Sequence, residues 1–186
     1  ILSGLVGSEM CIRDSADTVV ALRASGVAFV LQISAPIPRV LHWGADLGES
    51  TAATAYALAL TASPAQLNNS PDIPRSFSAL PTEYEGWSGT PALSGHAQGR
   101  ATTPRPRLVR HDVVIPSDGV GGRIALEFED EVCGIRTQLR YHLDAHGVLA
   151  VDASLTRAAE LSPRIGDTAY CLLYTSDAAD EGLGVD

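Results

Sequence analysis

A mainly β chain folded as an antiparallel β-sandwich is what the sequence predicts, on three observations. Residues 123–129 alternate strictly, with Ile124, Leu126 and Phe128 on one face and Ala125, Glu127 and Glu129 on the other, the period of two that a half-buried strand requires. Turn signals punctuate the chain around such runs, at Gly26, at Ser117-Asp118-Gly119 and at Asp144-Ala145-His146-Gly147. Only one stretch, 51–61, has the alanine content of a helix. Successive half-buried antiparallel strands bury their apolar faces against one another, and a sandwich is one of the few arrangements that does so.

Each element follows from local chemistry. The β-branched run at 19–24, the break at Gly26 and the apolar run at 27–34 predict a hairpin. Pro36 and Pro38 interrupt the chain before a strand over 39–43. Glu49 precedes the helix predicted over 51–61, which Pro64 stops. From 66 to 110 the chain carries Pro71, Pro74, Pro81, Pro91, Pro104 and Pro106 together with four glycines, too many breakers for long regular elements. A loop of that length inside a compact domain is usually functional or part of an interface. Strands then follow at 123–129 and 132–143, the turn at 144–147 takes Gly147 for its positive φ, and 148–155 returns in alternation.

Both ends read differently. Residues 4–15, Gly-Leu-Val-Gly-Ser-Glu-Met-Cys-Ile-Arg-Asp-Ser, back-translate into a sequence resembling a transposase-type library adapter. Residues 171–181, Cys-Leu-Leu-Tyr-Thr-Ser-Asp-Ala-Ala-Asp-Glu, back-translate into the reverse complement of the partner adapter. The expectation is therefore a chain in three parts: an adapter-derived tail at 1–15, a truncated native β-sandwich domain at 16–170, and a second adapter-derived tail at 171–186. Neither tail is expected to pack, since nothing selected it to complement a core.

That division sets the charge. The chain has 13 basic residues, all arginine, and 22 acidic ones. Setting aside Arg13 and the acids Glu9, Asp14, Asp177, Asp180, Glu181 and Asp186 leaves 12 against 16. A mildly acidic surface without a basic stripe or a basic amphipathic helix argues against nucleic-acid or anionic-membrane partners. Without Cys11 and Cys171, only Cys133 remains, which excludes an internal disulfide or a cysteine-based zinc site and permits a cytoplasmic location. No run of about 18 apolar residues is present to span a bilayer.

Few motifs carry chemistry. Gly86-Trp87-Ser88-Gly89 approaches a nucleophile elbow, but Thr90 stands where G-x-S-x-G needs glycine. His142 and His146 flank a turn rather than share a helix face, with no third ligand evident. Glu127, Glu129 and Glu131 recur at the period of a solvated sheet face, and Gly119, Gly121 and Gly122 follow no phosphate-binding pattern.

Two stretches are more particular: Arg39-Val-Leu-His-Trp-Gly-Ala-Asp-Leu-Gly48, a strand running into a loop, and Tyr84-Glu-Gly-Trp-Ser-Gly-Thr-Pro-Ala-Leu-Ser-Gly-His96 in the irregular region. In this order, followed by the strand meander, they resemble the N-terminal domain of bacterial glycoside hydrolase family 36 α-galactosidases, over most of residues 16–170. The resemblance implies a galactose-mutarotase-like β-supersandwich with one short helix and a long loop, preceding a (β/α)₈ barrel and a C-terminal β-domain. It implies a parent that hydrolyses terminal α-galactosyl units with retention and without cofactor or metal. That chemistry uses two carboxyl groups about 5 Å apart, which in the family are barrel aspartates, so 16–170 alone is expected to be inactive. It further implies α-galactoside oligosaccharides as ligands of the parent, a homo-oligomeric parent, and a long loop that helps shape a neighbour's sugar site. On that basis Arg75 is expected to donate a forked pair of hydrogen bonds to sugar hydroxyls or to a carboxylate at an interface, Trp87 to stack on a sugar or pack on a neighbouring subunit, and His96 to make a structural hydrogen bond inside the loop or to donate to a sugar hydroxyl. Trp43 is expected to fill the sandwich core. A free-standing carbohydrate-binding or oligomerisation sandwich is the alternative reading.

Overall fold

The computed structural model describes residues 12–14, 17–33, 36–48, 52–62, 68, 77–87, 89–97, 102–158 and 168–172. Its strands are β1 (Ile12–Asp14), β2 (Asp17–Ala24), β3 (Val27–Ile33), β4 (Arg39–Ala45), β5 (Leu93–Ala97), β6 (Arg107–Val114), β7 (Gly122–Asp130), β8 (Ile135–Leu143), β9 (Leu149–Arg157) and β10 (Thr168–Leu172), with one helix, α1 (Ala52–Thr61). They form two four-stranded antiparallel sheets, β1-β2-β3-β4 and β6-β7-β8-β9, and a two-stranded ribbon of β10 and β5. The fold is mainly β, as the alternation predicts.

The two large sheets bury the faces that the alternation marks as apolar. Val20, Leu22 and Ala24 of β2 and Phe29, Leu31 and Ile33 of β3 share one cluster with Ile124, Leu126 and Phe128 of β7 and Leu139, Tyr141 and Leu143 of β8. Phe29 stacks on Tyr141 across the interior, ring centroids 4.8 Å apart. Fully burying one such side chain stabilises by roughly 1.5–3 kcal/mol, so this layer dominates the packing. The opposite face of the β6–β9 sheet is wet: Arg136 of β8 lies between Glu127 and Glu129 of β7 and pairs with both, as a solvated face requires.

Tight turns set the registers. The β2–β3 turn places Ser25 and Gly26 at φ 48° and 79°, and its Ser25 hydroxyl donates to Ala145 O at 2.8 Å, joining it to the β8–β9 turn. There Asp144 accepts from the amides of His146 (2.9 Å) and Val148 (2.8 Å), and these bonds hold its carboxyl below the ordinary carboxylate range. Arg23 forks onto Asp46 at 2.8 and 2.7 Å, fastening β2 to the end of β4, and the bond lowers the Asp46 pKa.

Three expectations need correction. Trp43 does not fill the core. It pairs with Phe29 in register and meets that ring edge-on at 6.4 Å, but it is 49% exposed, because among the described residues no strand pairs along the outer side of β4 beyond the single bridge at Arg39. The 66–110 region is less irregular than its breakers suggest, since β5 lies inside it and β6 begins inside it. Parts of the expected tails are also paired: Ile12–Asp14 lies along β2, and Cys171 and Leu172 extend β10 along β5. Backbone pairing is indifferent to side-chain origin, and an open sheet edge offers unpaired N–H and C=O groups to any extended segment. The remainder of both expected tails lies outside the described residues.

Candidate functional site

The residues expected to contact sugar fall on the segment between α1 and β6. Arg75 lies outside the described residues. The chain after it is held down at 77–80: Val40 donates to Phe77 O (3.0 Å), Ala79 donates to Pro38 O (2.7 Å), and the Tyr141 hydroxyl reaches Ala79 O at 3.4 Å. Ala79 and Leu80 enter the main core with Ala92. This loop is therefore anchored by burial at both ends of its aromatic stretch, and Ala92 N donating to Pro81 O (2.8 Å) closes it.

Between those anchors a short 3-10 helix (Glu83–Glu85) turns the chain, and Thr82 O accepts from the amides of Glu85 (3.2 Å) and Trp87 (3.3 Å). Trp87 is half-buried. Its Nε1 donates to Thr90 O at 3.1 Å, and its ring meets Phe77 edge-on at 5.8 Å. Gly89 lets the indole lie close, because a Cβ there would stand 2.9 Å from Trp87 Nε1 and push the ring aside. The indole is thus fixed by packing, with Phe77 54% exposed beside it.

His96 is exposed and sits in β5, paired in register with Ala169 of β10. It belongs to a different element from Trp87, on a strand whose Leu93 joins Cys133 and Ile135 in a second small core. Among the described residues no group of three metal-ligating side chains comes together.

Several neighbours escaped the sequence reading. Glu85 accepts from the Ser78 hydroxyl at 2.8 Å, and burial raises its carboxyl pKa, opposed by Ser78 and by the charge of Arg39. Arg105 holds its guanidinium 4.8 Å over the Tyr84 ring, a cation–π arrangement. Asp130, 1% exposed, accepts from the amides of Val132 (2.9 Å), Cys133 (2.8 Å) and Arg105. An aspartate closing β7 was visible in sequence; its reach to Arg105, 25 residues away, was not.

Two antiparallel sheets packed face to face, with a loop anchored in their core through Ala79, Leu80 and Ala92, define a β-sandwich domain. The model of the glycosyl hydrolase family 36 N-terminal domain matches residues 37–180, and the chain belongs to that family. The match runs into the segment read as adapter-derived. No curated protein sequence matches the chain. Among solved structures it is similar to the α-galactosidase from Lactobacillus brevis, with 12% identity and a TM-score of 0.59, covering 76% of this chain and 22% of that one. It is also similar to the family 36 α-galactosidase AgaA from Geobacillus stearothermophilus, with 16% identity and a TM-score of 0.55, covering 75% and 22%. A variant of AgaA in complex with stachyose matches at 16% identity and a TM-score of 0.54, covering 74% and 22%. These likenesses show a shared fold, and the chain spans about a fifth of the length of those proteins. No helix among the described residues is long and apolar enough to cross a membrane.

Proposed function

We infer that this chain is a non-catalytic part of an α-galactosidase, whose parent hydrolyses terminal α-galactosyl units with retention through a barrel outside this sequence. The family match over 37–180 carries the reading. The sandwich likeness to α-galactosidases, each far longer than this chain, supports it. Function resides in sites rather than folds, and the two carboxylates of retaining glycoside hydrolysis are assigned to that barrel. The parent is taken to be a homo-oligomer and to be cytoplasmic, a location that the lone cysteine of residues 16–170 permits.

Within the domain, Arg75, Trp87 and His96 are assigned to the parent's sugar-binding surface. Trp87 is the best supported. Its ring is held by Thr90 and Phe77 with Phe77 exposed alongside, which suits an aromatic surface that stacks on a sugar or on a neighbouring subunit. Assay of the purified 186-residue chain with a chromogenic α-galactoside is the test. No hydrolysis above the buffer rate is expected, and turnover that survives repurification overturns the assignment.

A further inference from the structure

We propose that β6 is a docking edge through which two copies of this chain pair, antiparallel and about a two-fold axis at His111. β6 closes one side of the sheet β6-β7-β8-β9, and among the described residues β7 is the strand that pairs with it. At the start of β6 the Leu108 amide already donates to Pro36 O (2.8 Å). Beyond it Val109, Arg110, His111 and Asp112 are all exposed, so this stretch offers the outward backbone N–H and C=O groups on which another strand adds.

Charge selects the partner. Arg110 and Asp112 stand opposite Glu127 and Ala125 of β7, on the wet face of the sheet, and line one hollow there with Gln138 and Arg140. The ion pairs of the described residues lie elsewhere, at Arg23–Asp46 and around Arg136. Residues directly opposite in an antiparallel pair share a face and interact. Two copies of β6 centred on His111 therefore set Arg110 against the partner's Asp112 and Asp112 against the partner's Arg110, and both pairs attract.

Other registers are disfavoured. A slip of two residues centres the pair on Asp112 or on Arg110 and sets like charges against each other. A slip of one matches the wet face of one copy to the core face of the other. In the His111 register the next pair outward sets Val113 against the partner's Val109, which is 50% exposed, so apolar surface is covered as well. The bulge between Leu108 and Arg110 ends the regular stretch and keeps the contact short. The contact is self-complementary and uses the open edge of both copies, so it closes at two. It is independent of the α-galactosidase reading and of the loop at which that reading places the parent's subunit contacts.

The test is sedimentation equilibrium of the 186-residue chain over rising concentration, with circular dichroism to check that each variant folds. A monomer–dimer equilibrium with a Kd of about 100 µM is expected. Arg110→Asp and Asp112→Arg each turn two attractive pairs into two repulsive ones, and each is expected to weaken the dimer about tenfold or more. The double variant carrying both substitutions regains opposite charges and is expected to return the Kd to within about threefold of the starting value. Both positions are exposed, and should one single variant not fold, the other decides together with the double variant. The proposal is overturned by a chain that stays monomeric up to about 1 mM, by a dimer that a folded single variant leaves unchanged, or by a double variant as weak as the singles.

Discussion

Asp130 shows how one side chain organises residues distant in sequence. Its buried carboxylate takes three backbone N–H donors from two segments, and Asp130→Ala leaves those donors without it. A loss of about 3 kcal/mol or more in urea unfolding is expected; a change under about 1 kcal/mol would show the bonds to be dispensable. Glu85 titrates in the opposite sense to an ion-paired carboxylate. Burial raises its pKa above the ordinary 4.5, so the folded state favours the neutral acid, and its stabilising contribution is present below 4.5 and lost as pH rises through the raised value. Glu85→Gln is therefore expected to gain thermal stability relative to wild type between pH 4 and pH 7, with the gain growing as pH rises. A difference that is flat or reversed across that range contradicts the assignment.

Elements differ in how strongly their sequence commits them. The β2–β3 and β8–β9 hairpins and α1 were legible because period, turn residues and breakers agree there. Gly147 takes φ +85°, and a Cβ there would lie 2.8 Å from Val27 Cγ2 and 3.2 Å from Ala24 O. Gly147→Ala is accordingly expected to cost about 2 kcal/mol or more, whereas Leu60→Ser, on the exposed side of α1 at 56% exposure, is expected to stay within about 0.5 kcal/mol. Comparable denaturation midpoints for the two variants would refute that ranking. Other elements were hidden. β6 carries Arg107, Arg110, His111 and Asp112, and its register slips between Leu108 and Arg110, so a bulge erases the period of two just where an edge strand is charged. β5 is five residues long with Gly95 inside it, too short to announce itself. Trp43 misled because composition marks an aromatic as core, while exposure depends on whether another strand follows.

At the scale of the molecule, the sandwich was readable because two sheets with matching apolar faces have few other ways to bury them. The candidate site was readable only as residue types, since the contacts that fix Trp87 and Tyr84 join positions that no periodicity links. The described residues form a β-domain braced by its turns and carrying an aromatic loop, and the proposed function assigns the catalytic carboxylates to a barrel outside this sequence. That assignment is tested most directly by a long sequencing read of the source DNA across the codon of Tyr170. Continuation of the reading frame into a (β/α)₈ barrel with aspartates at strand ends is the expected result. A stop codon soon after Tyr170, or a different catalytic domain in frame, would contradict the account.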